Sequence, residues 1–155
     1  MQNRMLSFSF LCSFILLTSF VGLAQGGEKK ISLKNLPAAV QKTVQEQSQG
    51  AKIRGLSKEV EKGQTIYELE LLVAGRSKDM LIAADGNVME IEEEVTLAAV
   101  PAAVKTAIEK QVGKGKLHKL ESLTKNGTLE WYEAVIKTGG KTREIKVGPE
   151  GNLIK

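Results

Sequence analysis

The chain has 155 residues, with 22 Lys and Arg against 18 Asp and Glu, and it contains one Cys, one His and one Trp. All four Phe and the single Cys12 lie within the first 20 residues, so the rest of the chain has no disulfide, no cysteine zinc site and no cysteine nucleophile. Its only aromatic residues are Tyr67, Trp131 and Tyr132. The length allows one domain or two very small ones.

The first segment has the pattern of a secretory signal. Arg4 supplies a positive charge, residues 11–23 are almost wholly apolar, and Gly22 and Ala24 are small residues at the positions that a signal peptidase reads. At roughly 15 residues, the apolar run is shorter than the stretch of about 20 residues that a membrane span needs.

We predict a signal peptide over residues 1–24, cleaved after Ala24, and a flexible mature N-terminus over 25–32. The alternative is an uncleaved N-terminal anchor. Cleavage would give a periplasmic or secreted protein that is not bound to the membrane.

The remainder is a tandem repeat, with copies over residues 33–95 and 96–155. Leu36-Pro37-Ala38-Ala39-Val40 recurs as Val100-Pro101-Ala102-Ala103-Val104. Asp85-Gly86-Asn87-Val88 recurs in the same order as Glu150-Gly151-Asn152-Leu153. Matches in one order along both halves indicate two copies of one structural unit.

Each copy opens with a helix whose apolar residues recur at i, i+4 and i+8. They are Leu36, Val40 and Val44 in the first copy and Val100, Val104 and Ile108 in the second. Segments follow in which inward and outward residues alternate with period two, as in β-strands, and Gly turns separate them. Tyr67 and Tyr132 lie on the inward face. We predict strands at about 52–61 and 116–125, three more in each copy, and a solvated linker over 92–96.

These elements give an α-β-β-β-β order in each copy. Hairpin connections make the sheet antiparallel. A unit of about 60 residues is marginal alone, so the predicted fold is α+β: one antiparallel sheet of about eight strands, with the helices packed on one face.

The repeated Leu-Pro-x-x-Val at a helix start and the Asp-Gly-Asn-Val after the strands, behind a signal segment, resemble the PepSY-like family of β-lactamase-inhibitor-like proteins. The resemblance spans both copies. It implies an exported bacterial protein of tandem α/β units with a concave antiparallel sheet and no catalytic residues. It also implies inhibition of a peptidase or hydrolase through that concave face.

The chain offers little for catalysis. The one imidazole, His118, lies between Leu117 and Lys119 in a predicted strand and is expected to be solvated. Glu68 and Glu133 occupy equivalent outward positions, where we expect low pKa values. The acidic run of residues 90–94 lacks the Asp-rich loop of a calcium site. We expect that the protein is not an enzyme and that it binds neither a metal ion nor a cofactor. Lysines are scattered among acidic residues, which argues against nucleic-acid binding.

Function is expected on the outward sheet face, where large apolar residues break the alternation. The predicted binding face comprises Ile66, Glu68, Leu72, Trp131, Glu133 and Val135. Leu81 is a further candidate for this face. Trp131 is the expected anchor, because Trp is enriched at binding hot spots. Two alternatives remain: a helix, a loop or the other copy covers this face, or the register is slipped by one, placing Tyr132 outside and Trp131 inside.

The favoured hypothesis is a module that binds another exported protein, with a peptidase or hydrolase as the candidate target. The alternative is a sensor or carrier of a small ligand or cation that uses Glu68 and Glu133. An enzyme is the third and least favoured hypothesis. The sequence does not identify the target or the oligomeric state.

Overall fold

The structure is a computed structural model that describes residues 29–155. The predicted signal segment 1–24 and residues 25–28 lie outside this range. A short 3-10 helix spans Leu33–Asn35, and two α-helices, α1 and α2, span Ala38–Gln47 and Ala102–Val112. The strands are β1 Lys29–Lys30, β2 Lys52–Glu61, β3 Gln64–Val73, β4 Arg76–Ala83, β5 Val88–Glu94, β6 Lys116–Lys125, β7 Thr128–Thr138, β8 Lys141–Val147 and β9 Leu153–Ile154.

All nine strands form one antiparallel sheet, and their order in the sheet is their order along the chain. The predicted α+β class and the single sheet are confirmed. The ninth strand is β1, in which Lys29 pairs with Lys58 and Lys30 with Ser57. It lies in the stretch expected to be flexible, and it forms because the edge of β2 offers unpaired backbone groups.

Both helices pack on the same face of the sheet. Val40 and Val44 of α1 share a buried cluster with Tyr67, Leu69 and Ile82. The second copy repeats the arrangement, in a cluster that contains Val104, Ile108, Tyr132, Ala134 and Val147. The predicted apolar faces of helices and strands therefore meet, which is the burial that their periodicity requires.

The connection between the copies is a strand rather than a linker. We expected strand structure only to Ile91, but β5 continues to Glu94 and pairs with both β4 and β6. Three successive glutamates have low strand propensity, yet hydrogen bonding along both edges of β5 outweighs it. The two copies consequently share one uninterrupted sheet.

The two repeated sequence motifs touch each other in each copy. Gly86 has φ +88 and lies against the backbone of Ala39, while Gly151 has φ +84 and lies against Ala103. A Cβ on either glycine would lie only 2.9 Å or 2.8 Å from the alanine carbonyl oxygen. The Thr43 hydroxyl also donates a hydrogen bond of 2.7 Å to the Gly86 carbonyl. The Asp-Gly-Asn-Val turn of the first copy and the Glu-Gly-Asn-Leu turn of the second therefore hold the start of each helix against the sheet.

Among the described residues, no helix is both long and apolar enough to cross a membrane.

Gly86→Ala should destabilise the protein more than Gly63→Ala. Both glycines have positive φ, but a Cβ at Gly63 meets open space. We expect Gly63→Ala to cost about 1–2 kcal/mol from the left-handed backbone alone. Gly86→Ala should cost about 2–4 kcal/mol, because the contact with Ala39 adds steric strain. Urea unfolding of both variants measures the difference, and equal losses would show that the contact carries no stability.

Candidate binding face

The sheet has a second face, opposite α1 and α2, which we call the open face. Strand alternation places the predicted binding residues on it, because their neighbours Tyr67, Leu71 and Tyr132 belong to the helix-side clusters. Those predicted residues are Ile66, Glu68, Leu72, Trp131, Glu133 and Val135. The structure does not adopt the register slipped by one residue, because Tyr132 is buried on the helix side of the sheet. No helix of the described residues packs on the open face.

The apolar residues of the open face are less exposed than expected. Ile66 is only 5% exposed, and it lies between Glu59 and Ala83 of the neighbouring strands. Leu72 and Val135 are half-buried. Neighbouring side chains on a pleated surface cover one another, which alternation within a single strand does not reveal.

Trp131 is half-buried beneath two lysines. The Nζ atoms of Lys146 and Lys125 lie 4.5 Å and 5.4 Å from its ring centroid, within the range of a cation–π interaction. Its cross-strand neighbour Leu123 is 5% exposed. The indole N–H is buried and has no acceptor among the described residues. Trp131 is therefore packed into the open face, with its ring beside two ammonium groups.

Carboxylates oppose carboxylates across five adjacent strands. In register, Glu70 opposes Asp79, and Asp79 opposes Glu92. On the neighbouring row, Glu121 lies between Glu94 and Glu133. We call these six residues the carboxylate patch. Like charges directly opposite one another destabilise a sheet, so this arrangement costs stability.

Few cations offset the patch. In the part of the chain that the structure describes, Lys119 lies 2.6 Å from the Glu121 carboxylate and Lys146 lies 3.6 Å from that of Glu133. Glu94 accepts hydrogen bonds from Ser77. The patch therefore keeps more negative than positive charge.

Three carboxyl groups of the patch, those of Asp79, Glu92 and Glu133, have raised pKa values, and burial is the largest cause. Burial, with the charge of Glu70, raises the pKa of Asp79 to about 6. Burial, with the charges of Glu121 and Glu90, raises the pKa of Glu92 to about 7. Burial also raises the pKa of Glu133, even though Lys146 opposes the shift. Our expectation of a low pKa at Glu133 is therefore wrong, because the open face is less solvated than a free surface.

A cavity of about 500 Å³ lies on the open face beside the patch. Apolar side chains of Ile66, Leu81 and Met89 line it, together with Glu90 and Lys125. Glu90 is 8% exposed, and the Lys125 ammonium lies 2.9 Å from its carboxylate. The remaining lining residues come from two hairpins, one in each copy, and are Glu61, Lys62, Gln64 and Asn126. Both copies are thus needed to form the cavity.

His118 lies beside Lys137, which strand alternation places on the open face with Glu133 and Val135. It is exposed, and its Nε2 lies 3.1 Å from the ammonium of Lys137. Within residues 29–155, no group of three or more His, Cys, Asp or Glu is arranged to hold a metal ion.

Sequence reasoning missed Glu70, Asp79, Glu92 and Glu121 as parts of the same surface. A signal was present, because residues 90, 92 and 94 are all glutamate at period two. Their meeting with Asp79 and Glu121 depends on the pairing of β5 with both neighbours.

Removing one patch charge should stabilise the protein at neutral pH. When folding raises the pKa of a carboxyl group, the free energy of unfolding of the protein falls as pH rises. The reason is that the group ionises at a lower pH in the unfolded state than in the folded state. For Glu92 this loss should develop between about pH 4.5 and 7. We expect Glu92→Gln to gain about 1–2 kcal/mol at about pH 8, allowing for solvent screening, and almost nothing at about pH 4.5.

Urea unfolding across this pH range measures the effect. Glu93→Gln is the matched control, since Glu93 lies on the same strand but points to the helix side. A Glu92→Gln gain that does not depend on pH would contradict the explanation.

Comparisons with known proteins agree with this architecture. The family model "Putative beta-lactamase-inhibitor-like, PepSY-like" matches residues 25–87 and 77–155. Among the curated proteins, none has a matching sequence.

Two solved structures share the fold. One, described as a putative periplasmic protein from Bacteroides eggerthii, has 17% identity and a TM-score of 0.63, over 77% of this chain and 86% of that chain. A BLIP-like protein from Bacteroides fragilis has 20% identity and a TM-score of 0.57, over 77% and 84%. Because the family model covers both repeats, the chain belongs to the PepSY-like family of putative beta-lactamase-inhibitor-like proteins.

Proposed function

We propose that this protein is an exported, non-catalytic module that binds another exported protein through the open face. The observation that carries the proposal is a sheet face that spans both copies, holds large apolar side chains and is not covered by a helix of the described residues. Sheets of this kind ordinarily leave only polar side chains on an uncovered face.

The size of the open face suits a protein partner. Strands β2–β8 at a spacing of about 4.8 Å, over about eight residues of about 3.4 Å rise, give roughly 900 Å². A stable protein–protein interface needs about 800 Å² from each partner. A macromolecular partner can therefore be accommodated without any rearrangement of the sheet.

The comparisons support an enzyme as the target class. The family name refers to β-lactamase inhibition, and one solved structure with this fold is described as BLIP-like. We infer that the partner of this chain is a hydrolase or peptidase. Export is supported by the apolar segment that precedes the repeats and by the periplasmic description of the Bacteroides eggerthii protein.

A non-catalytic role agrees with the side chains present. Nucleophilic catalysis needs a nucleophile, a base and an orienting group within reach of one another. His118 is exposed and contacts the ammonium of Lys137, which offers neither a nucleophile nor an orienting acceptor. The carboxylates of the patch could exchange protons, and the Ser77 hydroxyl contacts one of them, Glu94, but the one imidazole of the chain contacts Lys137 instead.

A second candidate function is binding of a small ligand in the cavity. Its volume of about 500 Å³ lies within the range of small-molecule sites. This candidate uses the cavity alone, whereas the protein-binding proposal uses the whole open face.

Cross-linking in periplasmic extract, followed by mass spectrometry, tests the proposed function. The bait proteins are the wild type, Trp131→Ala and Val135→Ser. The control is Val60→Ala, which removes an exposed apolar side chain that lies outside the open face. We expect the open-face variants to lose at least one hydrolase or peptidase that wild type and Val60→Ala retain. Purified partner is then assayed for inhibition.

Thermal melts establish that each bait is folded, since Trp131 is half-buried. The same proteins captured by all four baits would show that the open face does not bind them. A thermal shift with small metabolites, abolished by Leu81→Trp filling the cavity, would favour the second candidate.

A further inference from the structure

The chemistry of the partner can be inferred from the charge on the open face. The whole chain carries a net charge of +4, yet more than half of its acidic residues lie on this one surface. Because charge is spread unevenly in this way, the open face is complementary to a cationic surface, while the rest of the molecule repels one.

The carboxylate patch is too wide for a single cation. It extends from β3 to β7, about 19 Å at a strand spacing of about 4.8 Å. A bound calcium ion contacts its oxygen ligands at about 2.3–2.6 Å. Several cationic groups on one partner can satisfy such a row of carboxylates, and arginine or lysine side chains have the required reach.

The cavity adjoins the patch. Leu81 and Glu90 line the cavity as a cross-strand pair, and Asp79 and Glu92 form the next pair on the same face of the same strands. Two residues along a strand correspond to about 7 Å. An apolar side chain in the cavity would thus lie about 7 Å from Asp79 and Glu92, which form no ion pair within residues 29–155.

We propose that the open face binds a basic segment of its protein partner, with a large apolar side chain of that segment in the cavity and neighbouring Lys or Arg side chains on Glu70, Asp79 and Glu92. The proposal rests on the proposed function and specifies its partner. The cavity supplies apolar burial, and the patch supplies orientation and rapid association. Pairing with the partner would also remove the repulsion that the like-charge pairs cause in the free protein.

Labelled synthetic peptides provide the probe. One short peptide alternates Lys or Arg with Leu or Phe, a second replaces each basic residue by Glu, and a third replaces each apolar residue by Ser. We expect the first peptide to bind wild type in fluorescence anisotropy and the other two to bind at least about tenfold more weakly. Binding should weaken between about 50 and 300 mM salt.

The variants locate the binding to the open face. Asp79→Asn/Glu92→Gln should weaken binding of the first peptide about tenfold. The matched control Glu93→Gln/Glu109→Gln removes the same charge from the helix side and from α2, and should leave binding unchanged. Leu81→Lys, which places a charge in the cavity, should also weaken binding.

Three results would overturn the inference. They are equal binding of the acidic peptide, equal loss of binding in both double variants, and full binding of the serine peptide.

The cross-linking experiment separates this inference from the proposed function. A partner lost in Trp131→Ala but retained in Asp79→Asn/Glu92→Gln would leave the binding face intact and refute its preference for basic segments. A thermal shift produced by calcium chloride alone and removed by the patch variant would assign the patch to a metal ion instead.

Discussion

The pairing of β5 with β6 is the constraint on which the rest of the structure depends. Each copy has about 60 residues, no disulfide and one helix, and is too small to bury an adequate core alone. The β5–β6 pairing joins the two sheets edge to edge and removes an exposed edge from each. It also brings Glu90 against Lys125 and Glu94 against Glu121, so the central part of the open face exists only because the two copies are joined.

The two faces of the sheet are subject to different physical demands. Equivalent helix-side positions in the two copies remain apolar, as in Tyr67 and Tyr132 or Ile82 and Val147, because both must pack under a helix. Several equivalent open-face positions differ, although Glu68 and Glu133 are alike. Ile66 corresponds to Trp131, and Leu81 corresponds to Lys146. Packing requirements keep the first face uniform, whereas the second is free to acquire the unequal charge and apolar content of a binding surface.

The open face also illustrates a conflict between stability and function. Carboxylates that are partly buried and placed opposite one another raise the free energy of the folded state, and burial first, then the neighbouring like charges, raise the pKa values of Asp79 and Glu92. A surface optimised only for folding would alternate charges across the strands. The helix-side clusters provide the stability that allows this arrangement to persist.

The sequence by itself determined the repeat, the α+β class, the inward positions of Tyr67 and Tyr132, and the face on which Trp131 lies. These features follow from periodicity within single segments, which burial against one neighbouring layer imposes. It did not determine that residues 92–94 form a central strand, that Ile66 is buried, or that Glu70, Asp79, Glu92 and Glu121 share one surface. Those features arise from pairing between strands that are distant in sequence, and only the register of the folded sheet decides which side chains become neighbours.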